Sequence, residues 1–409
     1  MSLAACTSDT PTSTPEPTTP VSTTAPSRSD DGVLQIGVLL PRSGAGAAIG
    51  QSARAAVQLA VDQVNALGGI SGQPVKLLVR SEGIDPTEAA LSLQQLIENQ
   101  VDVIIGPASS NNAIALVPRI VEAGIAACSP TASAMALDDI PDNGLFFRTV
   151  PSDSLQADAM AEVIEQTGRA SAAIAYVDDG YGRPFEDALR RALVTRGIVV
   201  DDSVGFAATD DEYETEAERL VGSGEGALAL IGDADAGSRM LAALADALSS
   251  QPRSIIINDT LRQPWSQSLL DLVLPETRSR VRGVSVRVST LPSDLLEQFD
   301  DTEATDVFAT QAYDCANLFM LAALDTGSTL SERIAADVVD VSNSGSRCTT
   351  YEQCAALVAQ GREIDYDGPG GSLTLNGNGD LASSVFDEFS FDATGRDVSA
   401  DSGIAGDVR

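Results

Sequence analysis

From Val33 onward, short apolar runs alternate with longer stretches in which apolar residues recur every three or four positions. Residues 33–40, 75–80, 101–105 and 125–128 have the length and composition of strands, and 50–67, 86–100 and 113–123 have the period of helices. The cycle then restarts. Strands are expected at 172–177, 199–206, 227–231 and 254–257, with helices at 184–196, 213–222 and 238–249. Strands apolar on both faces, each followed by a helix, belong in a parallel sheet covered on both sides. Two such series of similar size make two α/β lobes.

The remainder of the chain is too small to fold alone: a strand at 283–288, helices at 305–325 and 330–341, and a Gly-rich hairpin region at 368–391. These pieces are expected to complete the two lobes, so the chain crosses between them several times. The expected fold is therefore α/β, with two Rossmann-like lobes and a multi-strand hinge. Lobe one comprises 33–150 plus 287–384, and lobe two 151–286 plus 385–409. A ligand would sit between them at the carboxyl ends of the strands.

Composition fits this division. The chain has 409 residues, and a single core seldom grows past roughly 250–300. Hydrophobic residues make up 43%, enough for two cores once the N-terminal segment is set aside. That segment is different in kind. From Thr7 to Ser27, seventeen of twenty-one residues are Ser, Thr or Pro, so 1–32 is expected to be a disordered tether. Directly before it, Leu3-Ala4-Ala5-Cys6 resembles the end of a bacterial lipoprotein signal, shortened of its basic and most of its apolar part. Cys6 is the expected lipidation site, which would tether an extracytoplasmic protein to the outer face of the cytoplasmic membrane. With no apolar run of about eighteen residues, the membrane would be met only through that lipid.

The formal net charge is −34, from 59 acidic and 25 basic side chains, which argues against nucleic acid as a partner. Histidine is absent, which removes Ser-His-Asp and Cys-His nucleophile pairs and any imidazole zinc site. No catalytic residue, cofactor or metal is expected, and the chain reads as a monomer. Cys348 and Cys354 sit in one short loop and are expected to be bridged; Cys128 and Cys315 read as small buried thiols, left reduced.

Two motifs invite other readings. Gly44, Gly46 and Gly50 follow the first strand, and Glu82 follows the second, as in a dinucleotide-binding enzyme. Against that, Pro41-Arg42-Ser43 lengthen the turn, and the second βα series carries no catalytic motif. Asn376-Gly-Asn378-Gly-Asp380 alternates oxygens like a calcium loop. It lacks the Gly and Glu that such a loop needs at its sixth and twelfth positions, so it reads as a hairpin turn.

Several segments, in order, resemble the Leu/Ile/Val-binding protein family, the type I periplasmic binding proteins of ABC importers. They are Ile-Gly-Val-Leu-Leu-Pro-Arg-Ser-Gly at 36–44, Gly-Gly-Ile-Ser-Gly-Gln-Pro-Val at 68–75, Ile-Gly-Pro-Ala-Ser-Ser at 105–110 and Ser-Pro-Thr-Ala-Ser at 129–133. Phe-Arg-Thr-Val-Pro-Ser-Asp at 147–153, Asp-Gly-Tyr-Gly at 179–182, Ala-Tyr-Asp at 312–314 and Tyr-Asp-Gly-Pro-Gly-Gly at 366–371 complete the set. The resemblance implies that a small amino acid or related carboxylate is captured by hinge closure and passed to an ABC permease. A ligand-sensing receptor of the same fold is the alternative. It further implies that Ser110, Thr131 and Ser133 hold the ligand's carboxylate, with Ser109 as the neighbour that can replace Ser110. Hydroxyls and free N–H groups at helix N-termini bind an anion without a buried counter-charge. Asp259 is the matching partner for an ammonium, Tyr181 faces the cleft, and Asp153 and Gln156 line the crossover. Where the family places a tyrosine, Gly232-Asp233 stands instead.

Overall fold

The computed structural model describes Met1 and residues 30–44, 46–233, 235–249, 251–262, 273, 275–287, 308–343, 345–392 and 397–407. Cys6 and almost all of the expected tether lie outside the described residues. Asp30 is fastened to the first lobe: its carboxylate accepts hydrogen bonds from the Ser328 hydroxyl and the Thr329 N–H, both at 2.8 Å.

The first sheet has five parallel strands in the order β2-β1-β3-β4-β5. They are β1 (Gln35–Leu40), β2 (Lys76–Ser81), β3 (Val103–Ile105), β4 (Ala126–Ser129) and β5 (Phe146–Arg148). Helices α1 (Ala47–Ala66), α2 (Pro86–Glu98) and α3 (Ser110–Glu122) connect them. Alternation along the strands divides the apolar side chains between two faces. Ile36, Val38, Val103 and Ile105 pack with α1 and the later helix α8 (Ala309–Thr326). Leu39 and Ile104 pack with α2 and α3 on the other side.

The second sheet has seven strands in the order β14-β13-β10-β9-β8-β6-β7. It is built from β6 (Ser171–Val177), β7 (Val199–Phe206), β8 (Ala227–Ile231), β9 (Ile255–Ile257) and β10 (Val281–Val286), with α4 (Asp153–Gln166), α5 (Gly182–Thr195), α6 (Glu214–Gly222) and α7 (Ala236–Leu248) around them. After β10 the chain returns to the first lobe, where α8, α9 (Ser331–Val338), α10 (Tyr351–Val358) and the short parallel pair β11 (Ser346–Cys348) and β12 (Ile364–Tyr366) complete its outer layer. Finally β13 (Ser383–Phe391) and β14 (Asp397–Asp407) form an antiparallel hairpin on the edge of the second sheet. The chain thus goes over after β5, back after β10 and over again before β13.

Element ends shift where capping decides them. Asp85 accepts from the N–H groups of Thr87 and Glu88 and starts α2, with Pro86 in its first turn. Ser109 accepts from the Asn112 N–H, so α3 begins at Ser110 and not near Ala113. The late hairpin also differs from expectation. Its arms are 383–391 and 397–407, and the Gly-rich residues before it form loops, with a tight turn in which Asn376 Oδ1 accepts from the Asn378 and Asp380 N–H groups. The cause is that β14 carries little apolar alternation and pairs as an edge.

Further links tie the first lobe together. Arg148, fully buried at the end of β5, donates to Asp138 and to Asp380, each at 2.6 Å. Cys348 is bonded to Cys354. Cys128 is bonded to Cys315, which corrects the expectation that both thiols stay reduced. They are 187 residues apart in sequence, yet the end of β4 lies against α8 with Cα atoms 5.7 Å apart. No local spacing could announce a pair brought together by the packing of a sheet on a helix.

Candidate functional site

A cleft of about 400 Å³ opens between the lobes at the carboxyl ends of their strands. From the first lobe it is lined by the turn after β1, the Glu82–Ile84 segment, residues 108–112 and the loop after β4; from the second, by Asp179, Tyr181, Asp233, Asp235, Asp259 and Thr260. Six of the eight residues singled out in the sequence meet here: Ser109, Ser110, Thr131, Ser133, Tyr181 and Asp259, while Gln156, buried on α4, does not line the cleft. Asp153 does not line the cleft. It lies behind it, as the first residue of α4, with no exposed surface.

The first-lobe wall is held by its own polar groups. Glu82, just past the end of β2, is almost wholly buried, and its carboxylate accepts from the N–H groups of Ala108 and Ser109 (both 2.8 Å) and from Asn112 Nδ2 (2.7 Å). Burial pushes its pKa up to about 7, against the pull of those three donors. This carboxylate therefore fixes the 108–112 loop and already takes two of the N–H groups near the start of α3. Ser129 Oγ donates to Pro107 O (2.6 Å) and accepts from the Ala132 N–H (2.9 Å), tying the β3 and β4 loops together.

The hydroxyls differ in what they have left to offer. Thr131 Oγ1 donates its proton to Ala108 O at 2.7 Å, so toward the cleft it can only accept. Ser110 Oγ accepts from the Ala134 N–H at 3.2 Å and keeps its own proton available. The N–H groups of Ser110 and Asn111, in the first turn of α3, have no intrahelical partner.

Gly50 explains the glycines after β1. A Cβ there would stand 1.9 Å from Pro41 O, so the residue is needed for the first turn of α1 to pass against the Pro41 turn. That is a packing role, and no dinucleotide motif is required to explain it.

Across the cleft, Tyr181 OH accepts from Asn258 Nδ2 at 2.9 Å, and burial pushes the phenol well above its ordinary pKa. Asn258 Oδ1 in turn accepts from the Gly232 N–H at 3.2 Å. Asp233 Oδ1 accepts from the N–H groups of Asp235 (2.9 Å) and Ala236 (2.7 Å), so the residue standing where the resemblance implied a tyrosine holds the turn that leads into α7. Asp259 sits in the short turn after β9; burial raises its pKa to about 6, partly offset by the Gln156 amide and nearby N–H groups. Asp179 Oδ1 accepts from the N–H groups of Tyr181 and Gly182 (both 2.9 Å), and Asn111 Nδ2 reaches Asp179 Oδ2 across the lobes at 3.4 Å. Ile49, Ile84 and Phe308 supply apolar surface.

Sequence reasoning missed the loop-fixing role of Glu82, the Asn111–Asp179 bridge and the acidic pair Asp233 and Asp235. A buried acid after a strand was the available signal for Glu82; the others depend on which lobes face each other.

Residues 33–258 match the family model for periplasmic binding proteins. The chain belongs to the periplasmic binding protein family. Its fold is that of the type I periplasmic binding proteins among its structural neighbours. Among curated relatives, the chemotactic signal transduction system substrate-binding protein BasB of Halobacterium salinarum is 27% identical over 355 residues, 84% of this chain and 83% of its own. The chain spans about half the length of the curated Leu/Ile/Val-binding relatives it matches. Among solved structures, the branched-chain amino acid transporter substrate-binding protein LivJ of Streptococcus pneumoniae, in complex with isoleucine, superposes with a TM-score of 0.72 at 20% identity, over 90% of this chain and 100% of that one. A solute-binding protein of an ABC transporter from R. palustris, in complex with benzoate, gives 0.71 at 18% identity, over 91% and 99%. These likenesses show a shared fold. Among the described residues no helix is long and apolar enough to cross a membrane.

Proposed function

We propose that this chain is an extracytoplasmic solute-binding protein that captures a small amino acid or related carboxylate and delivers it to an ABC permease. The observation that carries this reading is the cleft itself, where both lobes present polar groups at strand ends around one volume fit for a small molecule. Ligand docks first on the first lobe. Ser110 and Ser133 donate hydroxyl protons to its carboxylate, Thr131 stands beside them as an acceptor, and Ser109 keeps the α3 terminus in place. Tyr181 and Asp259 close from the second lobe, Asp259 meeting an ammonium. The moving bodies are 33–150 plus 287–384 and 151–286 plus 385–409, and second-lobe contacts stabilise the closed state. Cys6 carries the lipid that keeps the chain at the outer face of the membrane, and the chain acts as a monomer without catalysis.

Sensing is the second reading, favoured by the extent of the match to a chemotactic substrate-binding protein. Both readings need the same first step. A melting-temperature screen against the amino acids and aromatic carboxylates tests it: at least one should stabilise the chain by mass action, about 2.7 kcal/mol at a hundredfold excess over Kd. No stabilisation by any of them contradicts the proposal.

A further inference from the structure

Three segments of the first-lobe wall converge on one carboxylate. Glu82, just past the end of β2, is 1% exposed, and its two oxygens divide three donors between them. Oε2 accepts from the Ala108 N–H, and Oε1 from the Ser109 N–H and Asn112 Nδ2. The Ala108 peptide is held on its other side too, since its carbonyl accepts the Thr131 proton at 2.7 Å. Next along the chain, Ser110 Oγ accepts from the Ala134 N–H at 3.2 Å. A line of hydrogen bonds therefore runs from Glu82 through residues 108–110 to the loop after β4, and it carries the hydroxyls of Ser110 and Thr131 on the cleft wall.

The three contacts of Glu82 require its ionised form. A carboxylate accepts at both oxygens, whereas a carboxyl group turns one of them into a donor. Oε2 serves the single donor, and a hydroxyl there meets the Ala108 N–H, donor against donor. The Ala108 peptide then turns away, and Thr131 loses its acceptor with it. Burial raises the Glu82 pKa to about 7 against the pull of the three donors, so both forms are populated near neutrality. Neighbouring charges do not set this value. On β2, Arg80 donates to Gln95, and the α2 acids Asp85 and Glu88 take backbone N–H groups. There is no charged residue in α3 before Arg119 and none from Ser129 to Leu137. Arg42 and Arg54 lie on the turn after β1 and on α1, and Asp179, Asp233, Asp235 and Asp259 stand across the cleft. Glu82 responds to burial and its own three donors and to none of these charges.

We infer that Glu82 is a positioning residue for solute capture: its charge holds residues 108–110 and Thr131 in the binding arrangement, and its protonation releases them, so that acidification lets the solute go. The inference rests on the reading of the cleft as the solute site. The sign follows from the contacts. The ionised form is the binding form, so affinity is full above the Glu82 pKa and is lost as pH falls through it.

The test has two arms, both on the full chain. Without ligand, the NMR amide signals of Ala108 and Ser109 should move together through one transition near pH 7, and Glu82→Gln should abolish it. The second arm is calorimetry with leucine, alanine and glutamine, each of which keeps both its charges across the range. Wild-type affinity should be about tenfold weaker at about pH 6 than at about pH 8, because roughly one molecule in ten is then ionised at Glu82. Asp259, with a pKa of about 6, adds about a twofold drop of its own. Glu82→Gln should bind about tenfold more weakly than wild type at about pH 8 and keep only that twofold drop. A structural role alone would weaken binding equally at every pH. A wild-type change of no more than about twofold, or a Glu82→Gln profile parallel to wild type, overturns the inference and leaves solute binding standing. Amide signals that stay in place overturn it without any ligand. Failure of all three amino acids to bind at millimolar concentration contradicts the solute reading, and the inference with it.

Discussion

Gly50 shows how one residue reaches the site without touching it. Its missing side chain lets α1 pass within van der Waals reach of Pro41, and the same turn carries Pro41, Ser43, Gly44 and Gly46 along the cleft wall. Gly50→Ala puts a methyl into that contact, and overpacking of this kind costs about 1–3 kcal/mol. Urea unfolding should show that loss, with weaker ligand binding because the turn shifts; full stability and affinity would mean the turn gives way freely. Motif order pointed to Ser109, Ser110, Thr131, Ser133, Tyr181 and Asp259, and the loops after β3, β4, β6 and β9 bring these six to one cleft. What each hydroxyl does with its proton was not. That Thr131 donates to Ala108 O depends on two loops meeting, as does the hold of Glu82 on the start of α3.

At the scale of elements, α8 is the piece that binds the first lobe together. It packs on α1, α9 and α10, it is joined to β4 by Cys128–Cys315, and Asp314 reaches from it to β12 and the loop after β12. A disulfide closing a long loop contributes about 2–5 kcal/mol. Replacing both Cys128 and Cys315 by Ser should remove stability of that order and loosen the loop from Ser129 to Ser133. Replacing Cys348 and Cys354, which stand six residues apart in sequence, should cost less. Melting of the two double variants compares them directly, and equal losses would contradict this ranking.

Asp314 gives a pH signature to the same helix. It accepts from Tyr366 OH and the Gly370 N–H, both at 2.8 Å, yet burial raises its pKa from 3.8 to about 8. A raised carboxyl pKa means the folded state holds a proton that the unfolded state has lost, so its contribution is full below pH 3.8 and declines as pH rises through 8. Asp314→Asn imitates the protonated form. Its stability relative to wild type should therefore improve steadily from about pH 4 to pH 8, read as a melting-temperature difference. A difference that stays flat over that range would place Asp314 in its charged form throughout. The helix was legible from its apolar period. Its two long-range ties were not, since Cys128 and Tyr366 come to it from distant strands.

For the whole molecule, two α/β lobes were expected from the repeated alternation of apolar strands and helices, and a remainder too small to stand alone implied several crossings; that there are three is read from the strand order. The exception was the edge hairpin. Polar β14 gives no strand period, and it is placed by pairing with β13. The central claim is that an amino acid is held between the lobes, with its carboxylate on the first. Calorimetric titration of the wild type and of the Ser110→Ala/Ser133→Ala double variant, using the amino acid that most raises the melting temperature, tests this most directly. A hydrogen bond to a charged group contributes about 1.5–3 kcal/mol. The account therefore predicts one site per chain and an affinity reduced by about a hundredfold or more in the variant. An affinity within about twofold of wild type would place the ligand elsewhere.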